Sequence, residues 1–122
     1  MSSKIVQAVN VMCVRPMDIQ NVTPLADGEI LFSYGPKEYK WGIKESQNFQ
    51  GHLTLFFYPR AESIEALANT VDWTTEPHTS YSTKEIGTEE ARQTFRELYS
   101  IVKEKLYGVD EVLNDIIGDI PF

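Results

Sequence analysis

One thiol, Cys13, is all that this 122-residue chain offers for cysteine chemistry. A lone cysteine excludes an intramolecular disulfide and a multi-cysteine metal site, and points to a reducing compartment. Histidine is as scarce. His52 and His78 lie far apart, in neither an HxxxH nor an HExxH context, so a zinc site lacks its ligand spacing. No GxxxxGK[ST], GxGxxG or GxSxG is present, which removes the common phosphate-cradling loops and the nucleophile elbow. Acids cluster in "DEVLND", but without the Gly-centred loop that calcium requires. No apolar run approaches the roughly 18 residues of a membrane span. "MSSKIVQAVNVMC" has neither the basic start nor the long apolar stretch of a signal peptide. Together these absences predict a cytoplasmic protein with no metal, no cofactor and no membrane association.

Positive charge is short as well. Eleven bases stand against 18 acids, for a net charge of −7. That balance opposes direct nucleic-acid binding, in which phosphate attraction dominates, and favours a basic protein partner or plain solubility. The imbalance is local. Residues 1–61 hold six bases and five acids, whereas residues 62–122 hold five bases and thirteen acids. The acidity belongs to the C-terminal half.

What the chain does have is aromatics in one place. Phe32, Tyr34, Tyr39, Trp41, Phe49, Phe56, Phe57 and Tyr58 fall in fewer than thirty residues. "EILFSY" puts Ile30, Phe32 and Tyr34 on one face, "GPKE" supplies a turn, and "YKWGIK" sets Tyr39, Trp41 and Ile43 opposite Lys40 and Lys44. "HLTLFFY" alternates Leu53, Leu55 and Phe57 with Thr54, Phe56 and Tyr58. This patterning predicts a three-stranded antiparallel meander over residues 29–59. The first aromatic set reads as a core face. Phe56 and Tyr58 point the other way, and are either covered by the loop 16–28 or a short helix, or form a contact patch with Phe49.

Around the meander, "KIVQAVNVMCVRP" is apolar on both parities and rich in β-branched residues. It suits a central strand stopped by Pro16, with a helix as the second reading. "MDIQNVTPLADGE" reads as a loop, "ESIEALANTV" as a short helix, and residues 79–86 as a polar edge strand. The strongest signal comes last. Thr88 is placed as N-cap before Glu89 and Glu90, and an apolar stripe runs through Ala91, Phe95, Leu98, Val102, Leu106, Val109, Leu113 and Ile116. Gly108 is positioned to kink or split this helix, with Asp110 as cap of a second segment. The predicted fold is therefore a single α+β domain over residues 1–122. Its antiparallel sheet, the meander plus the N-terminal and 79–86 strands, packs against a long C-terminal helix.

Two classes of function follow. Glu90, Glu97, Glu104 and Glu111 recur every seven residues on one flank of the stripe, and no Lys or Arg stands three or four residues from any of them. The bland reading is a solvated face, or one paired to Lys37, Lys40 or Lys44 on the sheet. The sharper one is an acidic ridge that docks a basic protein, with Phe56 and Tyr58 as a second contact. That makes the chain a non-enzymatic protein-binding module: an inhibitor, immunity-type protein, chaperone or adaptor. In outline, the strand-rich middle and long acidic helix resemble small bacterial immunity proteins and secretion chaperones, with no motif that attaches a family name. The alternative is a small-ligand binder or enzyme whose pocket is lined by Trp73, His78 and Tyr81.

Overall fold

The computed structural model describes residues 3–46, 51–70 and 76–118, the side chains of 109–111 excepted. It is an α+β fold. Helix α1 (Lys4–Val14) is followed by a single 3-10 turn (Pro16–Asp18), then strands β1 (Ile19–Pro24), β2 (Ile30–Tyr34), β3 (Tyr39–Glu45) and β4 (Leu53–Phe57). A short helix α2 (Ile64–Ala68) leads to β5 (Thr79–Ser82), a one-turn helix α3 (Thr83–Ile86), the long helix α4 (Glu89–Tyr107) and α5 (Val109–Gly118). The five strands form one antiparallel sheet in the order β1-β2-β3-β4-β5, each beside its sequence neighbour.

The meander takes the register that its alternation predicts. Phe32 pairs with Trp41 and Trp41 with Phe57, while Ile30, Ile43 and Leu55 align across the same strands. This face carries the main core. Phe32, Ile43 and Leu55 are fully buried with Phe95, Leu98 and Val102 of α4, and Trp41 packs against the same cluster. α4 starts as its sequence indicates, with the Thr88 hydroxyl accepting from the Ala91 N–H at 3.1 Å. It ends at Gly108, whose φ of 63° is the left-handed cap conformation that glycine adopts most readily. The chain is helical on both sides of Gly108, so the long helix is split there.

Three sequence expectations are corrected. The N-terminal segment is a helix, not a strand: Ser3 caps it, and Val6, Val9, Met12 and Cys13 are buried on one face against α4. A period of 3.6 puts apolar residues on both parities, which a strand reading takes for two buried faces. The fifth strand comes instead from the stretch expected as loop. In β1 the register shifts between Gln20 and Thr23, and Asn21 has φ of +56°. This bulge lets Ile19 enter the core and Val22 pack against it, three residues apart, a spacing that conceals a strand. The stretch at 79–86 pairs only as far as Ser82, whose side chain then caps α3 by accepting from the Lys84 N–H at 3.2 Å. Burial along α4 also ends early. Leu106 is partly buried, whereas Leu113 and Ile116 in α5 are 51% and 57% exposed.

On the other face of the sheet a smaller core gathers Leu31, Tyr58, Ile64 and Leu67, with Leu25 and Phe56 packed against it. Ser63 caps α2, accepting from the Ala66 N–H at 3.0 Å. The sheet is therefore covered on both sides, by α1 and α4 on one and α2 on the other.

Two measurements check this packing. Leu98→Ala should cost about 2–5 kcal/mol in chemical denaturation, because Leu98 is fully buried at the centre of the α4–sheet contact. Cys13 should react slowly with a thiol reagent until the chain unfolds. Burial, and then the nearby Glu97 carboxylate, raise its pKa to about 12, and its thiol faces the Thr94 carbonyl.

Candidate functional site

Seating α4 by its apolar stripe determines where its charges point. Glu90, Glu97 and Glu104 are all exposed. Residues seven apart on a helix are separated by roughly 10.5 Å along its axis, so the three form a row. Glu97 stands one helical turn beyond Thr94, whose carbonyl the Cys13 thiol of α1 faces, and so lies near the seam between α1 and α4. Glu104 lines an open groove of about 650 Å³ together with Pro16, Met17, Ile101, Leu106 and Tyr107. Among the described residues, neither Glu97 nor Glu104 has an ion-pair partner. The backbone at Glu111 belongs to α5, and its side chain lies outside the described residues.

Three of the four bases of α4, Arg92, Arg96 and Lys103, lie on the opposite flank and are engaged there, whereas Lys105 lines the groove beside Glu104. Arg92 meets Glu89 at 3.4 Å, Arg96 donates to the Gly51 carbonyl at 3.1 Å, and the Lys103 ammonium sits 5.0 Å from the centre of the Tyr99 ring. Nor do the sheet lysines reach the ridge. Lys44 pairs with Asp27 at 3.3 Å, and Lys40 lines a groove on the α2 side of the sheet. The strand alternation that buries Trp41 and Ile43 under α4 turns both lysines to the other face.

That other face accounts for Phe56 and Tyr58. Tyr58 is only 3% exposed and its hydroxyl donates to the Glu29 carboxylate, while Phe56 is half-buried beside it with ring centroids 6.4 Å apart. Tyr58 offers no surface to a partner in this fold, and Phe56 only part of one. Phe49 lies outside the described residues. Glu29, itself 6% exposed, was not singled out from sequence, although it shares the parity of Leu31 and Ser33 on the strand below the α2 core. Its side chain crosses β3 where Gly42 leaves room, and a Cβ at that position would overlap the carboxylate. Desolvation, opposed by the Tyr58 hydrogen bond, raises the Glu29 pKa above its ordinary value of 4.5. The same burial and the carboxylate hold Tyr58 in its neutral, donating form well above pH 10.

Of the alternative ligand-binding residues, His78 and Tyr81 lie on opposite faces of the sheet. His78 is exposed, with Nδ1 3.1 Å from the Glu76 carbonyl, and its ring contacts Phe56 and Tyr58 on the α2 side. Tyr81 pairs with Leu55 and packs against the main core, on the opposite face of the sheet. Trp73 lies outside the described residues. His52 is structural, with Nδ1 2.9 Å from the Thr83 hydroxyl. An open groove of about 640 Å³ does lie between β1, β2 and α2, lined by polar residues including Asn21, Thr23, Ser33, Lys40 and Asn69. Its β1 wall depends on the bulge, which left no alternation to find.

Among the described residues, no group of three or more His, Cys, Asp or Glu side chains is arranged to hold a metal ion. Nor is any helix there long and apolar enough to cross a membrane. Compared with known proteins, the chain matches no family model, no curated protein and no solved structure.

The buried Glu29–Tyr58 pair generates a pH prediction. A carboxyl whose pKa is raised on folding stabilises the fold most below its unfolded value. That contribution fades as pH rises through the folded pKa. Glu29→Gln keeps an acceptor for Tyr58 but removes the buried charge, so its unfolding free energy should match or exceed the native value at pH 7.5. At pH 4 the advantage should vanish. Tyr58→Phe removes the donor and should cost about 1–3 kcal/mol at neutral pH. Urea titrations of the three proteins at both pH values test this, and a Glu29→Gln loss confined to neutral pH would contradict it.

Proposed function

We propose that the chain is a non-enzymatic protein-binding module that docks a basic protein along the acidic flank of α4, through Glu90, Glu97 and Glu104. One observation carries the reading: Arg92, Arg96 and Lys103 are engaged on one flank of α4, while Glu90, Glu97 and Glu104 stand exposed on the other, with Lys105 beside the last of them. A row of like charge held by a packed helix steers an oppositely charged surface during encounter and penalises wrong partners. The net charge of −7 adds a long-range field of the same sign. Inhibitors, immunity-type proteins, chaperones and adaptors all work by such occupation of a surface, without chemistry of their own.

The test uses the double substitution Glu97→Lys and Glu104→Lys against a basic protein captured from source lysate. Both sites are exposed, so unfolding free energy should change by less than about 0.5 kcal/mol per site. Association at low salt should slow by about tenfold or more. The deficit should shrink as salt is raised and screening sets in. Equal association rates for the native and substituted chains at low salt would reduce the ridge to a solubility device.

A further inference from the structure

We propose that α5 is an exchange element: its apolar face docks in the groove between the end of α1 and the last turns of α4 of a second copy of this chain, and the second copy does the same in return. Val112, Leu113, Ile116 and Ile117 are 53%, 51%, 57% and 61% exposed. At 100° per residue these four positions form one stripe of the helix, so the exposed surface is a continuous apolar face and not scattered side chains.

The chain's own α4 is not positioned to cover that face. Only Gly108 separates the two helices, whereas turning a helix back along its predecessor takes a loop of about 2–5 residues. The groove is matched to α5 in both polarity and charge. Met17, Ile101, Leu106 and Tyr107 line it, and Met17 and Tyr107 are 67% and 66% exposed. Lys105 lines it too, and Arg15 is exposed next to Pro16 at its edge, against a single lining acid, Glu104. The charged residues of α5 are all acids (Asp110, Glu111 and Asp115). An unrelated helix could fill the groove but would leave this chain's α5 bare. Reciprocal exchange about a two-fold axis covers both grooves and both α5 faces with one contact type. Glu104 belongs to both the groove and the acidic row, whereas Glu90 and Glu97 lie outside this contact, so self-association and partner docking are tested by different substitutions.

Sedimentation and cross-linking of the full chain test it. The native chain should shift from its monomer mass to twice that mass with rising concentration. Leu113→Asp with Ile116→Asp should abolish the shift while leaving the unfolding midpoint unchanged at concentrations where the native chain is monomeric, because both side chains are exposed in the single chain. Cysteines at 17 and 116 supply the geometry, since the buried Cys13 thiol stays silent. Two differently tagged chains, one Met17→Cys and the other Ile116→Cys, should give a mixed disulfide on oxidation. A native chain that stays monomeric at every concentration would overturn the proposal. So would a dimer indifferent to the two aspartates. A chain carrying both cysteines that links 17 to 116 only within itself would show α5 closing on its own groove, and would overturn it as well.

Discussion

The burial of Ala91, Phe95, Leu98 and Val102 beneath the aromatic face of the sheet is the contact from which the rest of this structure follows. α4 is long and its mean composition is polar, so little but that stripe holds it in the fold. Once the stripe is seated, the rotation of the helix about its axis is set, and with it the direction of every charge it carries. Glu104 falls beside Pro16 and Met17 at the end of α1, and Arg96 falls where it finds the Gly51 carbonyl. α1 then completes the same core with Val6, Val9 and Met12. The acidic row is thus a consequence of packing, held at fixed spacing by a helix that cannot turn without exposing Phe95 and Leu98.

The second face of the sheet obeys a different constraint. α2 is short and contributes Ile64 and Leu67, too little apolar surface to fill the space alone. The remainder is occupied by Tyr58 and Glu29, joined by a hydrogen bond through the notch above Gly42. A buried carboxyl is costly when ionised, and its donor lessens that cost without removing it. Such a pair contributes specificity of register more than stability: Glu29 reaches Tyr58 only if β2, β3 and β4 are aligned as they are. Lys40 and Lys44 are committed to this face by the same alternation, so among the described residues neither lysine pairs with Glu97 or Glu104.

Two surfaces of opposite character result. One is the polar flank of α4, whose carboxylates stand in solvent. The other is the apolar face of α5 beyond Gly108, next to a groove bordered by Met17 and Tyr107. The first suits rapid, salt-sensitive encounter, the second a slower contact driven by area removed from water. A chain that carries both can pair with its own kind through one and recruit a charged partner through the other.

The sequence by itself determined the elements whose signals are local. The alternation of Phe32, Trp41 and Leu55 defined the meander and its buried side, and Thr88 with the stripe behind it defined the start and face of α4. Ser63 and Gly108 likewise mark the start of α2 and the end of α4 through caps that act within a few residues. The acidic flank followed from spacing alone. What only the tertiary structure decided depends on contacts between distant segments. α1 is a helix because α4 offers it a groove-like apolar surface, although its β-branched residues suit a strand equally well. β1 exists because β2 supplies backbone partners to a bulged segment with no alternation of its own. Glu29 became a buried acid because Tyr58 and Gly42, from two other strands, converge on it. His78 and Tyr81, three residues apart, were parted by the sheet that runs between them. Caps and periodicity are written in neighbouring residues; burial, pairing and charge isolation are properties of what the fold brings alongside.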